Sequence, residues 1–378
     1  MRTGSIRIAE ISVAAIRHNV ARVRELTGGA VIVVVKADGY GHGAAIAAEA
    51  ALAGGATMVA TADLEEALTL REQGIEAPIL CWLHGARVDF ADAVAARIEI
   101  GVSHLQQLEA VAAAATAAGT TATIQLKIDS GLSRNGASPE EWDALFTRAA
   151  ELVESGTITV RGIFSHLANA GDDNDRLQAT RFESAIALLH DAGIDPEMIH
   201  LAASAATFRS PHLHYNTVRV GVVAFGLSPF ADKTSAQLGL IPAMTLRSEI
   251  VALRGVPAGT GVSYGFNHVC ETATTLALVP IGYADGMPRA LNGAGAWVTV
   301  AGEHRPIVGR IGMDQFIVDV GPLAGRLKLG DQVVLFGDPE QGHPPVEIWA
   351  GLMQTINYEI VVGIGPRVRR VPVDGDLA

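Results

Sequence analysis

Eight short apolar runs alternate with helical segments in the first 220 residues, and this alternation limits the possible fold more than any other feature. The run at 31–35 contains only valine and isoleucine, which is typical of a strand covered on both faces of a parallel sheet. Eight successive βα units predict an α/β fold with a closed parallel (β/α)8 barrel, and an open doubly wound sheet is the alternative. The predicted strands are 31–35, 57–60, 79–82, 98–102, 123–128, 160–165, 198–201 and 217–220.

The segments between these runs carry helical signals. Ser12 is a predicted N-cap, and apolar residues recur after it at helical spacing until the glycine pair at 28–29 stops the pattern. A helix after each strand is what the outer ring of a barrel requires. Further helices are predicted from residue 44, at 63–73, at 103–118 and at 175–192.

The composition changes near residues 227–246, where prolines and a polar stretch interrupt the alternation. Beyond this point glycines separate short strand-like runs, a pattern that predicts an all-β domain. The predicted strands are 248–253, 275–281, 297–300, 306–308, 315–320 and 332–336, with one short helix at 345–353. We therefore expect a barrel domain at 1–237 and a mostly β C-terminal domain at 238–378, with the first few residues as candidates for pairing with the second domain.

The charge balance and the cysteine content argue against several classes of protein. Lys and Arg total 28 against 40 Asp and Glu, and the resulting net charge of −12 disfavours nucleic-acid and anionic-membrane partners. Cys81 and Cys270 are too few for a disulfide framework, so a reducing compartment is expected. No apolar stretch reaches the roughly 18 residues of a membrane span, and charges near the N-terminus interrupt any secretory signal. We expect a cytoplasmic protein without a membrane partner.

Chemically useful side chains follow several predicted strands at their C-terminal ends, the rim at which barrels carry their active sites. Taken singly, each has a simpler explanation as a solvated strand end, a core histidine or an ion-pair partner. Lys36 follows five apolar residues, which lowers the pKa of its amine and suits Schiff-base chemistry. The glycines at 39, 41 and 43 permit a tight turn but match neither a Walker A loop nor a dinucleotide fingerprint. The side chains at this rim are Lys36, Asp129, Arg134, His166, Ser204, Arg219 and Gly221.

Residues 36–43 resemble the pyridoxal phosphate (PLP) attachment motif of bacterial alanine racemases. The resemblance continues in the family's order through both predicted domains, which makes coincidence a poor explanation. The other matching segments are 126–136 (LKIDSGLSRNG), 165–166, 218–221 (VRVG), 261–265 (GVSYG), 281–286 (IGYADG), 310–315 (RIGMDQ) and 355–359 (TINYE).

This resemblance implies a reaction that interconverts L-alanine and D-alanine and supplies D-alanine for peptidoglycan. Lys36 would bind PLP covalently and act on one face of the substrate, and Tyr264 of the partner subunit would act on the other face. Removing a proton from one side of a carbon and returning it to the other requires two such groups. The resemblance further implies a homodimer with shared active sites and no metal.

The remaining site residues follow from the resemblance alone. It implies that Arg219 lies opposite the pyridine nitrogen. Ala203 stands where many members of the family have Asn, and Phe225 stands where many have Tyr, but neither difference removes a catalytic group. Carbamylation of Lys127 is left open. The implied cofactor-binding residues are Lys36, Tyr40, His166, Ser204, Arg219, Gly221, Val222 and Tyr358, the substrate-binding residues are Arg134 and Met313, and the supporting residues are Lys127, Tyr283 and Asp314.

Three alternatives remain open on the sequence alone. The nearest alternative is a PLP decarboxylase with the same two-domain layout, or a racemase for another small amino acid such as serine. Loss of carbon dioxide from the substrate would reveal the decarboxylase. A PLP-carrying regulatory barrel without catalysis would resemble only the first domain. A cofactor-free binding or structural protein would have no visible chromophore.

Overall fold

The computed structural model describes residues 5–375. The strands are β1 (Arg7–Ser12), β2 (Ala30–Val34), β3 (Met58–Thr61), β4 (Ile79–Cys81), β5 (Glu99–Val102), β6 (Ala122–Lys127), β7 (Ile158–Phe164), β8 (Met198–His200), β9 (Thr217–Val220), β10 (Met244–Glu249), β11 (Ala252–Val256), β12 (Gly261–Val262), β13 (His268–Val269), β14 (Thr274–Val279), β15 (Trp297–Val300), β16 (Glu303–Val308), β17 (Phe316–Asp319), β18 (Gln332–Phe336) and β19 (Arg369–Val373). The α-helices are Val13–Thr27, Ala44–Ala53, Leu64–Glu72, Ala91–Ala95, Leu105–Ala118, Trp142–Glu154, Asp172–Asp191, Ser204–Arg209, Val346–Leu352 and Asn357–Val362.

Strands β2 to β9 form one parallel sheet in the order β8-β7-β6-β5-β4-β3-β2-β9. The backbone N–H of Arg219 in β9 donates to the carbonyl of Ala202, just after β8, at 3.0 Å, and this bond nearly closes the sheet into a barrel. The predicted eight-stranded barrel is confirmed, and each predicted strand begins and ends within two residues of an observed one. The open doubly wound sheet is wrong, because such a sheet reverses its strand order at a switch point.

The caps of the first helix are those that its sequence predicts. The Ser12 hydroxyl accepts a hydrogen bond from the Ala15 N–H at 3.0 Å, and Gly28 ends the helix with a φ of 65°. The helix buries its apolar face, including Ile16 and Val20, against the outside of the barrel. Within residues 5–375, every helix is too short or too polar to cross a membrane.

The apolar part of the barrel interior is small. Its buried members come mainly from β2, β3, β4 and the ends of β7 and β8. The interior also holds buried polar residues of β5, β6 and β9, which are described below. The apolar interior residues are Ile32, Val34, Met58, Ala60, Leu80, Phe164 and Met198.

The second sheet has nine strands in the order β11-β14-β17-β16-β15-β18-β10-β1-β19. The mostly β character of this half is therefore confirmed. The single strand predicted at 248–253 is wrong, because the chain breaks at Ile250 into β10 and β11, which belong to different parts of the sheet. Strand β1 pairs antiparallel with β10 and parallel with β19, so residues 7–12 of the barrel half lie in this sheet. Strand β19 and the helix Asn357–Val362 were not predicted.

Asp285 joins three separate segments of the second domain. Its buried carboxylate accepts hydrogen bonds from Arg7 Nε at 3.0 Å, Arg367 Nε at 2.9 Å and the Gly282 N–H at 2.9 Å. Arg7 lies on β1 and Arg367 just precedes β19, so one carboxylate holds both ends of the described chain against the sheet. A buried carboxylate with three donors is costly to remove, because the donors then lose their acceptor.

We expect Asp285→Ala to lower the free energy of unfolding by about 2–4 kcal/mol, because two arginines lose their common anion while partly buried. Urea unfolding of the variant and the parent measures this. The matched control is Glu303→Ala, which removes the carboxylate of an exposed pair with Arg326 and should cost no more than about 0.5 kcal/mol. Equal losses in the two variants would contradict the assignment.

Candidate functional site

Lys36 lies just beyond β2, in a turn whose backbone is left-handed. Ala37 and Asp38 have φ values of 52° and 53°, a conformation that costs a residue with a side chain about 1–2 kcal/mol. Two carboxylates offset this cost by binding backbone N–H groups. Asp38 Oδ1 accepts from Ala44 at 2.8 Å, and Glu66 Oε1 accepts from Ala37 at 2.6 Å. The turn thereby fixes Lys36 at the mouth of the barrel.

A cavity of about 390 Å³ opens at this mouth. Its walls come from the carboxyl ends of strands that are distant in the sequence, so closure of the barrel is what assembles it. The volume is within the range of small-molecule sites. Ten residues predicted for the site line the cavity, namely Lys36, Tyr40, Lys127, Arg134, His166, Ser204, Arg219, Gly221, Val222 and Tyr358.

The amines of the cavity are easily deprotonated. Burial lowers the pKa of Lys36, and the nearby positive charges of Arg134 and Arg219 lower it further. Burial lowers the pKa of Lys127 to about 7, with the same two arginines contributing. A lysine in its free-amine form is a nucleophile, whereas the ammonium ion is not. The cavity therefore combines a nucleophilic amine with a surrounding of fixed positive charge.

Arg219 is buried on β9 and donates to three neighbours. Its Nη1 lies 2.9 Å from His200 Nδ1, and its Nη2 lies 2.8 Å from the Ser165 carbonyl and 2.9 Å from His166 Nδ1. Because a guanidinium can only donate, both imidazoles accept through Nδ1. Burial and the adjacent charge of Arg219 lower the pKa of His166 to about 3, so this ring is neutral near pH 7. Its proton therefore lies on Nε2.

A group of hydroxyls and amides lies on another wall of the cavity, formed by Tyr40, Ser204, Tyr358 and the backbone at Gly221. The Gly221 N–H donates to Ser204 Oγ at 3.2 Å. A Cβ atom on residue 221 would lie 2.3 Å from Tyr40 Oη, so only glycine lets this hydroxyl approach the backbone. Neutral donors around a concave surface suit a phosphate group.

Four predicted site residues do not line the cavity of a single chain. Tyr264 is 73% exposed, Met313 is 54% exposed and Tyr283 is 42% exposed, and all three belong to the second domain. Asp314 forms an ion pair with Arg367 at 2.8 Å. One chain therefore brings Lys36 together with the predicted cofactor-binding residues but leaves Tyr264 at the surface.

Several cavity residues were not predicted. Trp82 directly follows β4 in the structure, but it fell inside the predicted strand 79–82, so the strand-end rule that selected Lys36 did not select it. Asn169 lies in the loop after β7, where the sequence gives no signal. The centroid of the Phe225 ring lies 5.2 Å from that of Tyr40 and 4.5 Å from that of His42. Phe225 therefore packs against Tyr40, which lines the cavity.

A parallel barrel whose mouth holds a low-pKa lysine, buried cations and a cluster of hydroxyls is an enzyme fold that performs amine chemistry on an anionic ligand. Within residues 5–375, no group of three or more His, Cys, Asp or Glu side chains is arranged to bind a metal ion. Besides the barrel mouth, the chain is characterised by a β domain that exposes aromatic residues.

Comparison with known proteins identifies the family. The model of the alanine racemase N-terminal domain matches residues 11–229, and that of the C-terminal domain matches residues 243–372. The alanine racemase of Mycolicibacterium smegmatis is 46% identical over 365 residues, which cover 95% of this chain and 93% of that protein. The chain therefore belongs to the alanine racemase family.

Solved structures agree with this assignment. The alanine racemase from D-cycloserine-producing Streptomyces lavendulae superposes with a TM-score of 0.93 at 45% identity, covering 99% of this chain and 98% of that one. The enzyme from Streptomyces coelicolor gives a TM-score of 0.92 at 44% identity, with 98% of each chain covered. The chain is accordingly a racemase, and the regulatory and non-catalytic alternatives are wrong because the match extends through both domains.

Proposed function

We propose that this chain interconverts L-alanine and D-alanine with PLP as its cofactor. The observation that carries the proposal is the cavity in which Lys36, Arg219 and the hydroxyl cluster lie together. The relatives named above are alanine racemases, and the chain matches them over nearly their whole length. A role in supplying D-alanine for peptidoglycan and a cytoplasmic location are parts of the same proposal.

The residues of the cavity fit PLP in charge and shape. The proposed phosphate site is the hydroxyl cluster of Tyr40, Ser204 and Tyr358 with the backbone amides of Gly221 and Val222. The Lys36 amine, with its lowered pKa, is the group that would bind the aldehyde carbon. When bound, PLP supplies an electron sink that makes the α-proton of an amino acid acidic.

Arg219 is proposed to face the pyridine nitrogen. Its guanidinium is held by His200, His166 and the Ser165 carbonyl and has no carboxylate among these partners. A fixed cation at this point disfavours a proton on the pyridine nitrogen and so weakens the electron sink. A weaker sink favours rapid return of the proton to the substrate over transfer of its amino group.

Two groups are proposed to move the α-proton. The Lys36 amine acts on one face of the substrate, and the Tyr264 phenol of the partner subunit acts on the other. The neutral His166 ring carries its proton on Nε2 and can donate a hydrogen bond to a phenolate, while the charge of Arg219 favours that phenolate. Arg134 is proposed to bind the substrate carboxylate. Tyr283, Met313 and Asp314 would narrow the entrance.

The proposal includes a homodimer in which each second domain completes the partner's cavity. The exposure of Tyr264, Tyr283 and Met313 in one chain supports it, because each is a large apolar or aromatic side chain that a partner would cover. We also propose the domain boundary at 237–238, which lies between the two matched regions. Residues 1–4 and 376–378 of the proposed domains lie outside the described residues.

The function is tested by incubating the purified, PLP-loaded chain with L-alanine and measuring D-alanine with a stereospecific oxidase. L-serine and L-lysine serve as competing substrates, and release of carbon dioxide is followed in parallel. We expect D-alanine to form fastest. Faster turnover of serine would contradict the proposed function in favour of a serine racemase. Loss of carbon dioxide from lysine would contradict it in favour of a decarboxylase.

Gly221→Ala tests the proposed phosphate site. The new Cβ would displace the Tyr40 hydroxyl, which it would otherwise approach to 2.3 Å. We expect about a tenfold rise in the PLP concentration at half-saturation, the size expected from a small-to-large clash in a packed site. Fluorescence titration of the PLP-free protein measures this. Gly255→Ala, at a position with nothing within 4 Å of the new Cβ, is the control and should not differ from the parent.

A further inference from the structure

A row of buried polar side chains crosses the barrel from the cavity to the opposite end. Arg219 and Glu99 are 4% and 5% exposed, and His200 and Gln125 between them are fully buried. Glu99 is the first residue of β5, at the end of the barrel away from the cavity, where it pairs with Arg161. A polar row in a barrel interior is costly unless every member is hydrogen-bonded.

Each link of this row is a short hydrogen bond. Arg219 Nη1 lies 2.9 Å from His200 Nδ1, and His200 Nε2 lies 2.7 Å from Gln125 Oε1. Gln125 Nε2 donates to Glu99 Oε2 at 2.7 Å, and Arg161 donates to the other oxygen of Glu99. The row thus joins the partly buried Glu99–Arg161 ion pair to the guanidinium in the cavity without interruption.

The direction of these bonds is fixed from both ends, because Arg219 can only donate at one end and the Glu99 carboxylate can only accept at the other. A glutamate carboxylate only accepts, so Gln125 has to turn its NH2 toward Glu99 and its oxygen toward His200. The His200 ring must then donate from Nε2, which leaves Nδ1 free to accept from Arg219. With the Gln125 amide reversed, Nδ1 would carry the proton and would face the Arg219 N–H donor, an arrangement without a hydrogen bond.

The surrounding residues are shaped to keep this order. A Cβ on residue 162 would lie 2.7 Å from Gln125 Oε1, so Gly162 makes room for the amide oxygen. The His200 ring stacks on Phe164, with centroids 4.8 Å apart and planes 8° from parallel, which prevents the ring from tilting away from Arg219. Space and packing therefore support the same orientation that the hydrogen bonds require.

We propose that Glu99 and Gln125 are positioning residues that set the tautomer of His200 and, through it, the orientation of Arg219 in the cavity. The effect on turnover rests on the proposed function, because Arg219 acts there on the cofactor ring. The effect on the His200 tautomer concerns this chain's own residues and does not depend on the reaction.

Glu99→Gln tests the proposal with an almost isosteric change. The new amide has a single oxygen, which the Arg161 donor requires, so its NH2 faces Gln125 and favours the reversed Gln125 amide in opposition to Arg219. We expect part of the His200 population to carry its proton on Nδ1 and kcat to fall by about tenfold, because a buried donor of Arg219 then lacks its acceptor. Ring-nitrogen NMR of the PLP-loaded, full-length protein with ¹⁵N-labelled histidine reads the tautomer directly.

Glu197→Gln is the matched control. Glu197 pairs with the same Arg161 but is exposed and has no contact with Gln125. This variant should keep both the parent tautomer and the parent kcat. If Glu99 contributed only to stability, Glu99→Gln would have a lower unfolding temperature, but its His200 nitrogen shifts and its kcat would equal those of Glu197→Gln. That result would overturn the proposal.

Gly162→Ala perturbs Gln125 directly and leaves both members of the Glu99–Arg161 pair unchanged. Its Cβ displaces the Gln125 oxygen, so we expect the same change in the His200 nitrogen shifts. Unchanged shifts would count against the proposal even if Glu99→Gln failed to fold. Racemisation by the parent protein is measured separately. A parent without alanine racemisation would disprove the proposed function, whereas the tautomer measurement would still decide the positioning role.

Discussion

Lys36→Ala is expected to abolish racemisation, with kcat reduced by at least about 10³-fold, because in the proposed mechanism this one residue supplies both the cofactor link and one of the two proton-transfer groups. The assay is D-alanine formation from L-alanine at saturating PLP. A second readout is independent of turnover: borohydride treatment with PLP should add mass to the peptide that contains Lys36 in the parent and leave the same peptide of the variant unmodified.

Lys36→Arg separates nucleophilicity from charge. Arginine keeps a cation at the mouth of the barrel but has no free amine near neutral pH. We expect it to be as inactive as Lys36→Ala and equally resistant to modification. Substantial activity in the arginine variant would mean that residue 36 acts only as a charge, and the proposed covalent link would have to be abandoned.

The lowered pKa of Lys36 gives this modification a pH dependence. Burial and the nearby arginines disfavour the ammonium form, so the amine becomes available at a lower pH than in an ordinary lysine. The rate at which the PLP-free protein captures PLP should fall as the pH decreases through the pKa of Lys36. A surface lysine in a model peptide should show the same fall at a higher pH.

The barrel and its active rim could be predicted because both depend on local patterns. Continuous β-branched runs indicate buried parallel strands, and the first polar residue after such a run lies at the rim. The rule found Lys36 and His166, and both line one cavity with Arg219, which lies within the last predicted strand. Trp82 was missed because it fell inside the predicted strand 79–82, whereas β4 ends at Cys81.

The structure of the second domain was less predictable because its pairings are distant in the sequence. Strand β1 lies between β10 and β19, and its residues run straight into the first helix without a turn. Only Ala9 and Ile11 are buried in β1, too short an alternation to distinguish from the start of a helix. The pattern within β19 is similarly weak.

Buried polar residues inside strands were missed for a different reason. Pattern analysis assigns a polar residue in a strand to the exposed face, yet Gln125 and Glu99 point into the barrel and are buried there. Glu66, which accepts from the backbone after Lys36, lies on a helix that carries no catalytic motif. Such residues become visible only when the three-dimensional hydrogen bonds are known.

Tyr264 is the residue whose position in the single chain agrees least with its role in the proposed reaction. It lies outside the cavity that contains Lys36 and is 73% exposed, beside the similarly exposed Phe266. A phenol in this position does not face a ligand held at Lys36 of its own chain. The proposed dimer resolves this difficulty, since it would place the phenol near Arg219 and His166 of the other subunit.

Tyr264→Phe should therefore lower kcat by at least about 10²-fold in both directions, because one of the two proposed proton-transfer groups is lost. The proposed cofactor-binding residues line the cavity of the other chain and do not include Tyr264, so PLP binding should be retained. The absorbance of the bound cofactor measures this retention. A variant that also lost PLP would indicate a failure of assembly.

Mixing two inactive variants shows which chain supplies the phenol. In a mixed dimer of Lys36→Ala and Tyr264→Phe, one shared site carries both substitutions and the other carries none. Unfolding the two variants together at equal amounts and refolding them should restore about a quarter of the parent activity, because half of the randomly formed C2 dimers are mixed and each has one intact site. Refolding either variant alone is the control. If Tyr264 instead served its own chain, every site in the mixture would lack one group and activity would stay at the level of the controls, which would reject the shared site.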